Sequence, residues 1–144
     1  MNALSIAIDK DNKLWGWGYD QSVITNSEAI LTPKRIIIGS LNNNFCDVAL
    51  GGSYGGYMFL DTNGKAWAWG YNVCGLLGLN TNAPVLSPRQ ICGNNSFYKI
   101  GVISSEFDGA CYAIDKSNRL WGWGQIGIYT NNSNYKTPSR IYNK

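Results

Sequence analysis

The chain has no histidine among its 144 residues. That removes the Ser-His-Asp and Cys-His pairs behind much nucleophilic catalysis, and with them the commonest metal ligand. Charge is sparse too: Asp, Glu, Lys and Arg make up 15% of the residues, and the formal net charge is +3. A balance so mild, spread along the whole chain, calls for no polyanionic partner. No apolar run approaches the roughly 18 residues that a membrane-crossing helix needs. The N-terminal MNALSIAIDKD has no basic stretch and reaches Asp9 before a secretion signal could form its apolar centre. The expectation is a chain in the cytoplasm or within an intracellular or viral assembly.

Cys46, Cys74, Cys92 and Cys111 show no Cys-x-x-Cys spacing. Without histidine they complete no zinc site, and they read as free thiols of a reducing compartment rather than as a disulfide framework. The segment DKDN at 9–12 resembles the start of a calcium loop but lacks the glycine and the distal glutamate. Glycine-rich GGSYGG at 51–56 precedes no helix that could seat a phosphate. Glu106 and Asp108, the remaining close acidic pair, fall in a connector. No catalytic residue, metal or cofactor is expected, and the protein is read as a non-enzyme.

What the chain has in excess is tryptophan beside glycine. LWGWG stands at 14–18 and again at 120–124, with AWAWG at 66–70 between them. Trp17 and Trp69 are 52 residues apart, Trp69 and Trp123 are 54 apart, and Asp9, Asp61 and Asp115 each lie eight residues before the second tryptophan. Downstream come TPKRI from Thr32, SPRQI from Ser87 and TPSRI from Thr137. Three copies of a module with a period near 50 point to a propeller or solenoid.

Within a module the pattern is that of β-structure. LSIAI at 4–8 alternates large and small residues as a strand packed on both faces would. Asp-x-x-Asn, or Asp-Thr-Asn-Gly at 61–64, is turn chemistry. A second strand then sets Trp15 and Trp17 on one face and Gly16 on the other. A lone hairpin is marginal in water, so its faces need cover, and stacked sheets supply it. The expected structural positions are Asp9, Trp15, Trp17 and Gly18 in the first module, Asp61, Trp67, Trp69 and Gly70 in the second, and Asp115, Trp121, Trp123 and Gly124 in the third. The tryptophans are read as inter-blade packing. A stacking platform for bases or sugars is the competing reading.

Leu60–Asn80, LDTNGKAWAWGYNVCGLLGLN, resembles the repeat of the RCC1-like (regulator of chromosome condensation) β-propeller family, with Gly64, Trp69, Gly70, Asn72, Gly75, Leu77 and Gly78 in the family's places. Leu76 stands where the family has glutamine, GGSYGGYMFL carries no histidine of its Gly-x-x-His signature, and modules one and three differ after Trp-Gly. The resemblance implies an all-β fold of RCC1-like propeller blades, three repeats forming a partial or oligomer-completed propeller. It implies one repeat domain over 1–144, with modules of about 1–36, 37–91 and 92–144.

Function in such a scaffold is expected in its loops. Segments 19–31, 71–86 and 125–136 carry Tyr19, Tyr71, Asn72, Tyr129 and Tyr135, a composition suited to protein recognition. The first reading is therefore a non-enzymatic protein-interaction module with a protein partner, and with self-association as a route to a complete propeller. The second is a structural component of a virion or cell-surface assembly. A third places Lys13, Lys65 and Arg119, with Arg35, Arg89 and Arg140, on a basic rim for chromatin, nucleic acid or a GTPase.

Overall fold

Each Asp-x-x-Asn or Asp-x-x-Gly tetrapeptide closes a hairpin, because its fourth residue can take a left-handed backbone. Asn12, Gly64 and Asn118 have φ of +61°, +85° and +58°. Their backbone N–H groups return to the carbonyls of Asp9, Asp61 and Asp115 at 3.0, 2.9 and 2.9 Å. In the computed structural model, which describes residues 3–19, 29–38, 44–51, 56–104, 109–127 and 135–141, these turns organise three antiparallel sheets. The first holds β1 (Ala3–Ile8), β2 (Leu14–Tyr19) and β3 (Ile30–Arg35). The second holds β4 (Phe45–Leu50), β5 (Gly56–Asp61), β6 (Ala66–Gly70) and β7 (Val85–Gln90), in that spatial order. The third runs β8 (Phe97–Ser104), β9 (Gly109–Asp115), β10 (Leu120–Gly124) and β11 (Tyr135–Arg140). The protein is all-β, three RCC1-like blades of a partial propeller.

Strand β4 packs against both β1 and β8, and β8 also meets β5, so the first strands of the blades lie innermost. Register makes β1, β5 and β9 counterparts: each pairs antiparallel with a tryptophan-bearing strand, Ala7 facing Trp15, Phe59 facing Trp67 and Ala113 facing Trp121. Among the described residues, the first sheet therefore has no counterpart of β4 and β8.

The outermost pairing repeats one irregularity. Gly16 faces Lys34 and Gly18 faces Ile30, Ala68 faces Arg89 and Gly70 faces Val85, and Gly122 faces Ser139 and Gly124 faces Tyr135. Two steps on the tryptophan strand thus oppose four on the outer strand. Gly18, Gly70 and Gly124 end this stretch at φ of +114°, +110° and +77°, which only glycine adopts without strain. Pro33, Pro88 and Pro138 fall inside it, where the ladder asks for no regular donor.

The core fills the spaces between blades. Phe59, Trp69, Leu60, Met58, Leu77 and Trp123 are essentially inaccessible. Phe59 stacks on Trp69 with centroids 4.1 Å apart at 9°, and Phe45 meets Phe59 edge-on at 6.2 Å. Burying such rings supplies about 25 cal/mol per Å² of apolar surface, plus the preference for these geometries.

Candidate functional site

The recurring aspartates do the same work three times. Oδ1 of Asp9 accepts the backbone N–H groups of Asp11 and Lys13 at 2.9 and 2.8 Å, and its Oδ2 accepts the Trp15 indole N–H at 2.7 Å. Asp61 takes Asn63, Lys65 and Trp67 at 2.9, 2.9 and 3.1 Å. Asp115 takes Ser117, Arg119 and Trp121 at 2.8, 3.0 and 2.9 Å, and adds the Arg119 Nε–H at 2.6 Å. Hydrogen bonds to a carboxylate favour its charged form. For Asp9 the Lys13 backbone and then the Trp15 indole hold the carboxyl below its ordinary range. For Asp115 burial pushes upward, but the Trp121 indole and the Arg119 groups outweigh it and the carboxyl is held down.

The two tryptophans of each pair have different tasks. Trp15, Trp67 and Trp121 are half-buried and fastened to the aspartate turn. Trp69 and Trp123 are wholly buried between blades, while Trp17 is half-buried. The Trp123 indole N–H reaches across to the backbone carbonyl of Leu76 at 2.9 Å. Among the described residues the Trp69 indole N–H has no acceptor.

Blades are also joined through the backbone. Phe45 N–H donates to Asn12 C=O at 2.8 Å and Phe97 N–H to Gly64 C=O at 2.9 Å. Within a blade, Thr62 N–H donates to Asn44 C=O at 2.9 Å and Lys116 N–H to Ser96 C=O at 3.0 Å.

The candidate interaction residues separate. Tyr19, at the end of β2, and Tyr71 and Tyr135 are half-buried. Tyr129 lies outside the described residues. Asn72, expected on an interaction loop, is instead 2% exposed with its amide fully engaged. Its Nδ2 donates to Thr81 and Ala83 carbonyls at 2.7 and 3.1 Å, and its Oδ1 accepts from Leu77 N–H at 2.8 Å. It clamps the 72–83 loop from within and presents nothing to a partner. Its place in the family pattern beside Gly75 and Gly78 was the available signal.

The basic residues are partly committed. Arg119 pairs with Asp115 and lies over the Trp121 ring at 5.9 Å, and Lys13 Nζ donates to Asn44 Oδ1 at 2.5 Å. Arg35 contributes to the field that lowers Asp9. Lys34, Arg89 and Lys99 are exposed. Cys111 is buried, donating to Leu76 C=O at 3.1 Å, and burial pushes its thiol up. Burial, then Asp47, raises Cys46 as well. No group of three potential metal ligands occurs among the described residues, and no helix there is long and apolar enough to cross a membrane.

Sequence reasoning missed the bare side chains of the outer strands. Leu31 on β3 and Leu86 on β7, repeat equivalents beside Thr-Pro and Ser-Pro, are 89% and 62% exposed. Ile37, in the connector after β3, is 72% exposed. An apolar residue directly before Thr-Pro or Ser-Pro was the signal.

Residues 63–105 match the family described as "Regulator of chromosome condensation (RCC1) repeat". Human WBSCR16 superposes on 96% of the chain with a TM-score of 0.76 and 17% identity, using 35% of its own length. Yeast RCC1 (Prp20), solved bound to Kap60, covers 99% of the chain at a TM-score of 0.75 and 20% identity, over 35% of its length. Prp20p from Saccharomyces cerevisiae, described with its binding properties to Gsp1p and histones, covers 99% at 0.74 and 18%, over 36% of its length. The chain spans about a third of the length of these solved structures.

Proposed function

We propose that this arc of RCC1-type propeller blades is a non-enzymatic protein-interaction scaffold. The observation that carries the reading is the pair Leu31 and Leu86, 89% and 62% exposed at equivalent places on β3 and β7. Folding gains almost nothing from an aliphatic side chain left in water, and a repeated apolar exposure marks a surface for a partner. Tyr19, Tyr71 and Tyr135 border the same outer ends of the blades and add amphipathic contact area. The yeast relative's association with Kap60, and its described binding of Gsp1p and histones, support a protein as the partner class. The test is affinity capture from the native host with the full chain and with a Leu31→Asp/Leu86→Asp variant. A partner retained by the first and lost by the second, at unchanged melting temperature, supports the reading. Equal retention, or no partner at all, counts against it.

A second reading, a piece of a larger propeller, is favoured by the inner edge. β1 has β2 as its one hydrogen-bonded neighbour among the described strands, where β5 and β9 each have two. Lys10 is the counterpart of Thr62 and Lys116, whose N–H groups meet the chain just ahead of β4 and β8. The described strands number three, four and four per blade, so a second copy brings no spare inner strand. Completion therefore calls for a strand from elsewhere. Light scattering tests this. A monomer of 15.9 kDa that binds an added strand peptide supports completion by another polypeptide. A discrete dimer favours self-association instead.

A further inference from the structure

Cross-strand pairing sorts the residues of each tryptophan-bearing hairpin onto two faces, because residues directly opposite on an antiparallel pair share one. The first face carries Trp17 beside Ser5, Trp69 beside Tyr57 and Trp123 beside Cys111. The second carries Leu14 beside Ile8, Ala66 beside Leu60 and Leu120 beside Ile114. Ile6, Met58 and Tyr112 lie two residues along and belong to this second face as well. A Cβ at Gly16 or Gly122 would come within 2.8 Å of the Ile36 or Ile141 side chain, which adds those isoleucines to it.

The chain brings the two faces together twice. At the first junction Leu14 of the first blade shares one continuous core with Tyr57, Phe59 and Trp69 of the second. At the second junction Trp123 and Cys111 of the third blade both donate to the Leu76 carbonyl of the second, at 2.9 and 3.1 Å. Each junction therefore sets the aliphatic face of one blade against the tryptophan face of the next.

At the two ends of the arc the same positions are open to water. Leu120 is 41% exposed, where its counterparts Leu14 and Ala66 are 1% and 3%. Tyr112 and Ile114 are half-buried, where Met58 and Leu60 are sealed. On the first blade Ser5 is exposed and Trp17 half-buried, where Tyr57, Cys111, Trp69 and Trp123 are all buried. The third blade thus ends the arc with a bare aliphatic face, and the first blade begins it with a bare tryptophan face.

We propose that these end faces bind each other between two copies of this chain, head to tail. The argument is continuity: the end faces are the two halves of a junction that the sequence already folds twice. A contact between unlike faces is heterologous, and successive copies either close a ring or run on as a filament. Propellers close with about four to eight blades. Two copies of a three-sheet chain fall within that range and three exceed it, so the assembly is a closed dimer with two equivalent interfaces. It rests neither on the outer leucines nor on a strand added at β1, since faces that pack ask for no further backbone pairing.

Sedimentation velocity of the full chain over a wide concentration range should show a dimer of twice 15.9 kDa. Leu120→Asp charges one end face and Ser5→Arg the other. Both positions lie open in the single chain, so each variant should keep its circular dichroism spectrum. Each should also dissociate at least about tenfold more readily, because the new charge would be buried without a partner. Head-to-tail pairing makes one further demand: each variant retains one intact face. An equimolar mixture should therefore recover a dimer that neither variant forms alone.

The proposal is overturned if the chain stays monomeric throughout, or if either folded variant dimerises as the original does. It is overturned if the mixture stays dissociated, since a contact between like faces would then be at work. Assembly with a different polypeptide that Leu120→Asp abolishes overturns it too, because the occupant is then not a second copy. A monomer that still captures a partner through Leu31 and Leu86 removes the dimer and leaves the scaffold reading standing.

Discussion

Trp121 donates its indole N–H to Asp115 Oδ2 at 2.9 Å, and that oxygen also holds the Arg119 Nε–H at 2.6 Å. One carboxylate thereby fixes a turn, the first tryptophan of a pair and a cation stacked over that tryptophan. Because these bonds favour the ionised form, the folded-state pKa is depressed. The stability they contribute is complete above the unfolded carboxyl's value of about 4 and is lost as pH falls below it toward the folded value. Asp115→Asn should lower the melting temperature at pH 7, and the gap to wild type should narrow steadily below about pH 4. Thermal melts across that range check it. A gap constant with pH would mean that the charge is not what matters.

The two buried tryptophans should respond differently to loss of their N–H. Trp123→Phe breaks the bond to Leu76 and should cost about 1 kcal/mol beyond the change of ring size. Trp69→Phe removes a donor that meets no acceptor among the described residues, so it should be the milder substitution by a similar margin. Both alanine variants should lose about 3–5 kcal/mol through the cavities they leave. Chemical denaturation of the four variants measures the difference directly.

At Gly78 a side chain meets two obstacles. Its φ is +66°, and a Cβ would press on Ile91 Cγ2 and Trp123 Nε1, both at 2.9 Å. Gly78→Ala should therefore destabilise by about 1–3 kcal/mol and loosen the second junction. The readout is a urea midpoint together with faster exchange of the Trp123 indole proton. At Gly101, where a Cβ would meet nothing within 4 Å, the same substitution should be nearly neutral.

Thiol labelling should rank the cysteines by access and thiolate character. Cys46 is exposed, Cys74 and Cys92 are partly covered, and Cys111 is buried with its thiol pushed up. A neutral disulfide reagent at pH 8 should modify Cys46 more slowly than a free cysteine, since its thiol is raised as well. Cys111 should react only with the unfolding rate. Mass spectrometry of timed samples gives the order.

Much of the architecture could be read from the chain because a period of 52 to 54 residues makes each feature appear three times. Asp9, Asp61 and Asp115 announced hairpin turns, and the bonds from Asp11, Asn63 and Ser117 back to them are those turns. The separation of labour within each Trp-x-Trp was not legible. Residues two apart on a strand share a face, and only the depth of the neighbouring blade decides that Trp67 reaches a carboxylate while Trp69 is sealed off. Asn72 misled for a related reason: a polar residue in a loop has the same composition whether it faces water or gathers backbone groups around itself.

The prolines of the outer strands have a consequence for how such a molecule behaves at high concentration. Pro33, Pro88 and Pro138 lack the N–H that a further strand would need, and each lies in a stretch where the outer strand runs out of step with its neighbour. A flat, fully bonding rim invites strand after strand and ends in cross-β fibres. Here that rim is interrupted in every blade, while the inner edge at β1 keeps its regular alternation from Ala3 to Ile8. Strand addition is thereby barred at the outer rims and left to the edge at β1. Crowding should leave the outer rims unextended, and a strand added at β1 has to come from another polypeptide.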